Sequence, residues 1–91
     1  MTATKNVDSK NRTYAYAIYY DCLSAGTVYN NVYACHFHTL LEAENEINKR
    51  LTYSVPSYNY LAFRVEVVDW QDWKTLDVIL YWDKDKGYTY V

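Results

Sequence analysis

The segment Thr39–Leu51, TLLEAENEINKRL, constrains the fold most, because it carries the clearest helical pattern in the 91 residues. Thr39 and Glu42 form a capping box, in which the hydroxyl accepts a backbone N–H and the carboxylate reaches back. Glu46 and Arg50 are spaced for a surface ion pair. Apolar residues recur on one helix face at Leu40, Ala43, Ile47 and Leu51. The rest of the chain must therefore form strands and turns that pack against one helix.

One acidic residue does not fit this helical pattern. At about 100° per residue, Glu44 falls between Leu40 and Leu41, inside the apolar arc. Two interpretations stay open. Either Glu44 is an edge position whose carboxylate reaches water, or the carboxylate is held against the sheet by a tyrosine hydroxyl.

Alternating side chains predict five strands around this helix. Their ranges are Thr13–Tyr20, Val28–His38 (with an interruption at Asn30–Asn31), Tyr60–Val68, Leu76–Trp82 and Tyr88–Val91. Gly26 marks the first turn, and DKDKG predicts a hairpin with Gly87 in the left-handed region. The order β-β-α-β-β-β predicts a two-layer α+β fold, an antiparallel sheet of four to five strands with one helix on one face. Residues 1–11 are predicted to be a flexible N-terminal tail, and residues 12–91 a single domain.

The two faces of this sheet are predicted to differ. Ala15 and Ala17 share a face, and small side chains let a helix approach closely, so this face is placed under the helix. The core is predicted to contain Phe37, Leu61, Phe63, Val65, Leu76, Val78, Leu80 and Trp82. The opposite face then displays Tyr16, Ile18, Tyr20, His36, His38, Ile79 and Tyr81 around Arg64 and Glu66. An exposed face with this many aromatic rings is typical of a partner-binding surface.

Composition narrows the classes of function. The chain has twelve Tyr and three Trp but only two Phe, and Tyr and Trp favour half-buried surfaces and interfaces. The net charge of −2 argues against nucleic-acid binding driven by phosphate neutralisation. The N-terminus lacks a signal-peptide pattern, and no apolar run is long enough to span a membrane. We therefore predict a cytoplasmic protein with Cys22 and Cys35 reduced.

Metal and catalytic motifs are weak. His36 and His38 lie two residues apart on one strand face and could chelate a metal. A two-ligand motif alone is a weak signal, so no metal or cofactor is expected. Cys35 points away from both histidines on a strand, which opposes a Cys–His nucleophile pair. The sequence thus predicts no catalytic residue and a protein that is not an enzyme.

The connector DWQDWKT (Asp69–Thr75) displays Trp70 and Trp73. These rings either tuck under the sheet edge or serve as anchors for a protein partner, since Trp and Tyr dominate interface hot spots. The predicted partner-binding residues are Tyr16, Tyr20, Glu66, Asp69, Trp70, Asp72, Trp73 and Tyr81. Acids such as Asp69 and Asp72 would steer the surface toward a basic partner.

In general character the chain resembles small inhibitor proteins encoded by phages and mobile elements, anti-CRISPR proteins among them. The resemblance rests on a short acidic chain, the capped helix TLLEAENEINKRL among strands, and the aromatic connectors TYSVPSYNY and DWQDWK. It implies stoichiometric binding to a host defence protein without catalysis, and it assigns no residue a role.

The residues themselves also favour a protein-binding module, with a basic nucleic-acid-binding protein as partner. A homodimer formed through the same face stays open. The main alternative is a single-stranded nucleic-acid-binding protein that stacks bases on the aromatic face. A small-molecule pocket is a further alternative.

Overall fold

The computed structural model describes residues 14–53 and 59–91. The elements are β1 (Tyr14–Ser24), β2 (Thr27–Phe37), α1 (Leu40–Tyr53), β3 (Asn59–Asp69), β4 (Lys74–Asp83) and β5 (Gly87–Tyr90). The strands form one antiparallel sheet in the order β2-β1-β3-β4-β5. The helix packs on this sheet against β1, β2 and β3, which confirms the predicted two-layer α+β fold. The boundary predicted between residues 1–11 and 12–91 lies outside the described residues.

The sheet order determines where the helix lies. β2 and β3 both pair antiparallel with β1, so they run parallel to each other. Two parallel strands need a crossover connection that leaves the sheet plane, and α1 provides it. The helix therefore covers the centre of one sheet face. The other face, which we call the open face, has no covering layer among residues 14–53 and 59–91.

The helix begins and is stabilised largely as the sequence predicts. The Glu42 backbone N–H donates to Thr39 Oγ1 (3.2 Å), while the Thr39 hydroxyl donates to Glu42 Oε1 (2.8 Å). Arg50 Nε donates to Glu46 Oε2 (2.8 Å). Ala43, a residue of the helix itself, is fully buried. In the described ranges, no helix has the length and apolarity needed to span a membrane.

The face of β1 under the helix is the reverse of the predicted one. Ala15 and Ala17 are buried on the open face, so their predicted position beneath α1 is wrong. The helix packs instead on Ile18 and Tyr20. The small residue that permits close approach is Ala43 of the helix itself, which is fully buried against them.

The main core lies between α1 and the three central strands β1, β3 and β4. Its buried members are Ile18, Tyr20, Cys22, Ala43, Ile47, Phe63, Val65 and Leu80. Phe37 and Trp82 pack against them at the margin. The predicted core positions Phe63, Val65 and Leu80 are thereby confirmed. Each fully buried large side chain contributes roughly 1.5–3 kcal/mol to stability.

Register shifts in β4 overturn the alternation expected there. Leu76 and Ile79 are extra residues relative to β3, and one extra residue moves the following side chains to the other face. Val78 therefore lies opposite Glu66 on the open face. Leu76 is 48% exposed, while Ile79 packs against the main core. The predicted placement of these three side chains is wrong for this reason.

A similar shift in β2 places one tyrosine on the open face. Cys35 pairs with Ile18, but the next pair is Tyr33 with Tyr19, because Ala34 is an extra residue. Strict alternation would place Tyr33 on the same face as Cys35, but the shift places it on the open face. The expected interruption at Asn30–Asn31 is also present, as a second register shift.

The last strand is tied to the helix by tyrosine hydroxyls. Tyr88 Oη donates to Asn48 Oδ1 (2.5 Å), and Tyr90 Oη donates to the Glu44 carboxylate. This hydrogen bond raises the pKa of Tyr90. Of the two interpretations of Glu44, the structure supports the carboxylate held by a tyrosine. Gly87, which starts this strand, has the predicted positive φ (77°).

Candidate functional site

The open face carries a group of aromatic rings from β1, β2 and the β3–β4 loop. We call this group the aromatic cluster: Tyr19, Tyr33, His36, His38, Trp70 and Trp73. Centroids of neighbouring rings lie between 4.8 Å (His36–Trp70) and 6.4 Å (Tyr33–His36) apart. Most pairs meet edge to face, an arrangement that aromatic quadrupoles favour.

A layer of small residues supports the cluster. Ala15, Ala17 and Val68 are fully buried on the open face, and Tyr19 and Trp73 pack over them. Because alanine side chains are short, the large rings can lie close to the sheet. The alanine pattern in β1 is thus explained by the aromatic cluster instead of by the helix.

Hydrogen bonds between side chains fix the rings. Trp73 Nε1–H donates to Tyr19 Oη (3.2 Å), and Tyr33 Oη shares a hydrogen bond with His36 Nδ1 (2.6 Å). Burial, reinforced by Cys35 and Tyr19, raises the pKa of Tyr33, so its hydroxyl is neutral at neutral pH. Each bond joins two rings of the cluster, which holds them in a defined mutual orientation.

Four of these rings enclose a shallow recess. Tyr19, Tyr33, His36 and Trp73 line an open cavity of ≈ 360 Å³. The Trp70 ring lies just outside, 5.8 Å from Trp73 by centroid. The walls are mostly apolar ring surface, since two hydrogen bonds between the rings engage four of their polar atoms.

The loop that carries the tryptophans has a defined backbone. The Trp73 N–H donates to the Asp69 carbonyl (2.7 Å), and Asp69 Oδ1 accepts the Gln71 N–H (3.0 Å). Trp73 itself has φ +56°, in the left-handed region that costs an L-residue roughly 1–2 kcal/mol. Glycine or asparagine would adopt this conformation more readily. Strained backbone positions cluster at functional sites. The strain at Trp73 therefore makes its ring a candidate functional group.

An ion pair adjoins the cluster. Arg64 Nε donates to Glu66 Oε2 (2.5 Å), and Thr75 Oγ1 donates to Glu66 Oε1 (2.7 Å). Arg64 Nη1 donates to Asn31 Oδ1 (2.6 Å), and the guanidinium lies 4.7 Å from the Tyr19 ring centroid. Two hydrogen-bonding side chains therefore satisfy the Glu66 carboxylate, and Arg64 is held in place over an aromatic ring.

Two of the tyrosines predicted to bind a partner lie on the wrong side of the sheet. Tyr20 is only 8% exposed and belongs to the main core, with its ring 5.2 Å from that of Tyr60. Tyr16 is half-buried and packs against the same core. Their predicted position on the open face is wrong, because the helix covers the Tyr16/Ile18/Tyr20 face of β1.

Two of the predicted surface acids are also placed differently. Glu66 is 8% exposed and Asp69 is 5% exposed, and both accept hydrogen bonds, so their predicted position as exposed surface acids is wrong. Asp72 is exposed, with one oxygen accepting the Lys74 N–H (3.0 Å). The acidic rim is consequently smaller than the sequence suggests.

The remaining predicted contact residues lie on the open face. Trp70 is 44% exposed and Trp73 is half-buried, both within the aromatic cluster. Tyr81 is exposed and pairs with Arg64 across the β3–β4 ladder. Both tryptophan rings therefore lie over the open face, and their role as anchors for a protein partner stays a prediction.

Metal and nucleophile chemistry find little support in the geometry. In the part of the chain that the structure describes, no three His, Cys, Asp or Glu side chains are grouped to hold a metal ion. His36 Nδ1 is engaged by Tyr33. Cys35 packs on the helix side, away from His36, and burial raises the pKa of its thiol. The Cys–His pair is not assembled.

Sequence reasoning missed Tyr19 and Tyr33 as members of the site. The signal for Tyr19 was the alternation Ala15, Ala17, Tyr19, in which two small residues and one large ring share a face. Tyr33 had no comparable signal, because only the extra residue Ala34 brings it to the open face.

Searches of protein-family models, curated proteins and solved structures return no match to this chain.

Proposed function

We propose that this chain is a non-enzymatic protein-binding module that holds its partner on the open face, with Trp70 and Trp73 as anchors. One observation carries the proposal: the aromatic cluster is fixed by its own hydrogen bonds and ring contacts, yet its rings stay partly exposed. Trp and Tyr account for much of the binding energy at protein interfaces.

The fixed geometry favours binding for an entropic reason. Immobilising a free side chain at an interface costs about 0.5–1.5 kcal/mol. In the cluster, Trp73 is already bonded to Tyr19, and Tyr33 is already bonded to His36. A partner that contacts these rings would therefore lose less free energy in ordering them.

The general character of the chain and its exposed acids indicate which partner to test. The resemblance to small phage-encoded inhibitors makes a host defence protein that handles nucleic acid the first partner to test. Asp72 and Asp77 are exposed, and their charge would favour a basic surface on that protein. In this proposal the chain acts stoichiometrically, by occupying a surface its partner needs.

The test is a pull-down from host lysate with the immobilised chain, with and without nuclease, followed by reconstitution with the purified partner. Trp73→Gly removes a central ring and also relieves the left-handed backbone strain, so the loop should keep its fold. We expect binding of the purified partner to weaken about 30-fold or more, as for a hot-spot tryptophan.

Tyr53→Ala provides a matched control, because Tyr53 is an exposed aromatic residue on the helix side. This variant should bind as the wild type does. The proposal fails if neither sample contains a protein partner, or if Trp73→Gly and Tyr53→Ala bind the partner equally well. Capture of nucleic acid alone, steeply dependent on salt, would support the single-stranded nucleic-acid alternative instead.

A further inference from the structure

The recess in the aromatic cluster has the geometry of a partial cage. The Trp73 ring stands at 83° to the Tyr33 ring and at 75° to the His36 ring, with centroids 5.8 and 5.2 Å away. Tyr19 closes a further side, at 62° to Tyr33. The rings therefore contact one another edge to face and together line the recess. The negative π faces of Trp and Tyr attract cations.

The hydrogen bonds inside the cluster narrow the class of ligand. Trp73 Nε1–H and the hydroxyl of Tyr33 are used within the cluster. The recess therefore offers mainly ring faces and few hydrogen-bonding groups. A ligand that enters it gains contact with π faces, and this favours a cation or an apolar group over an anion.

The overall charge of the protein favours the cation. Next to the recess, Glu66 is paired with Arg64, Asp69 is buried, and Asp72 and Lys74 are both exposed, so the local charges nearly balance. The chain as a whole carries a net charge of −2, which attracts a cation at long range.

The protein itself shows which cation suits this surface. The Arg64 guanidinium already lies 4.7 Å from the Tyr19 ring centroid. A guanidinium is planar and weakly hydrated, so it stacks on aromatic faces more readily than an ammonium. The cavity volume of ≈ 360 Å³ is at the small end of the range for ligand sites, about 300–1,000 Å³, and is ample for one side chain.

We infer that the recess lined by Tyr19, Tyr33, His36 and Trp73 receives an arginine side chain of the partner. The inference rests on the proposed function, because it names the group that the open face recognises. It also gives the basic partner a specific point of contact in place of the acidic rim that the sequence suggested.

The experiment titrates the full chain with acetyl-Gly-Arg-Gly-amide and follows the Trp73 indole N–H by NMR, with the signal assigned from the Trp73→Phe spectrum. The matched probe replaces arginine by citrulline, which has nearly the same shape without the charge. We expect a saturable shift with the arginine peptide and about 5- to 30-fold weaker binding of the citrulline peptide.

A variant separates the recess from other surfaces. Tyr33→Leu keeps an apolar wall without a π face, and it should abolish the preference for arginine over citrulline. Equal binding of the two peptides by the wild type, no saturable shift, or an unchanged preference in Tyr33→Leu would each overturn the inference. If this happens while capture of the purified partner still depends on Trp73, only the arginine assignment fails. Loss of all partner capture would instead refute the proposed function.

Discussion

The two faces of the sheet both carry aromatic residues, yet they are held in different ways. On the helix side, Tyr20 and Phe63 are buried beneath α1 among aliphatic residues such as Ile47. On the open face, Tyr19 and Trp73 are bonded to each other and stay partly exposed. The helix covers the rings on the helix side and excludes water from them. The rings on the open face have no such cover among the described residues and are held by contacts with one another.

If the open face binds a partner as proposed, this difference separates stability from recognition within one small sheet. The helix side depends on burial, so its residues should dominate the free energy of unfolding. The open face depends on polar contacts between rings, so its residues should contribute less to stability and more to binding. Four experiments test this comparison, and they are given in order of decreasing expected effect.

The largest effect is expected from Ile47→Ala, because Ile47 is fully buried between α1 and the sheet. Loss of its side chain should lower the free energy of unfolding by about 2–5 kcal/mol, measured by urea denaturation. Ile47→Val should cost about 0.5–1.5 kcal/mol and keeps the test valid if the alanine variant does not fold. If Trp70→Ala on the open face costs as much as Ile47→Ala, the comparison between the faces is wrong.

The second effect concerns the ion pair beside the aromatic cluster. Glu66→Gln removes the charge that Arg64 and Thr75 both contact, and we expect a loss of about 1–3 kcal/mol in urea denaturation. Glu46→Gln is the matched control, since it weakens an ion pair between residues four apart on the helix, and should cost about 0.3–0.5 kcal/mol. Equal losses would show that the Arg64–Glu66 pair behaves as an ordinary surface contact.

The third effect depends on the backbone at Trp73. Because its φ is +56°, Trp73→Gly should be more stable than Trp73→Ala by about 1 kcal/mol. At Trp70, which has no positive φ, Trp70→Ala should be more stable than Trp70→Gly. Chemical denaturation of these four variants measures both differences. If alanine is more stable than glycine at both positions, Trp73 is not strained.

The smallest effect is expected from Tyr90→Phe, which removes an exposed hydrogen bond to Glu44. The pKa of Tyr90 is raised in the folded state by this bond, so its stabilising contribution is complete below the ordinary tyrosine pKa of about 10. The contribution disappears as the pH rises through the folded pKa. Denaturation midpoints of wild type and variant should therefore differ slightly at pH 8 and converge above pH 10. A difference that persists at high pH would contradict this account.

The sequence predicts the framework of this fold from local signals. The capping box at Thr39 and the apolar stripe through Ile47 predict the helix, and the alternation around Phe63 and Val65 predicts the central strand. These signals depend on spacing within one element, so they are visible in the sequence. The loop with Trp70 and the histidine His36 were likewise identified as candidate site residues.

The errors come from features that depend on tertiary structure. Extra residues such as Ala34 and Ile79 shift the register of a strand, and nothing in the local pattern marks them. A close contact between the helix and β1 needs a small side chain on one of the two elements. The prediction took Ala17 of β1 for this role, but in the structure the small residue is Ala43 of the helix. Tyr20 was therefore assigned to the wrong face, and Tyr19 was missed.

The rings that line the recess come from separate strands, so a ligand of the recess would act on the stability of the whole fold. Tyr19 comes from β1, Tyr33 and His36 from β2, and Trp73 from the loop after β3. β1 and β3 lie on either side of the helical crossover, so the recess exists only when both halves of the chain have come together. A ligand of the recess would then stabilise the whole fold by mass action, by about 2.7 kcal/mol at one hundred times its Kd. Short peptides copied from either half should fail to compete with the intact protein for its partner.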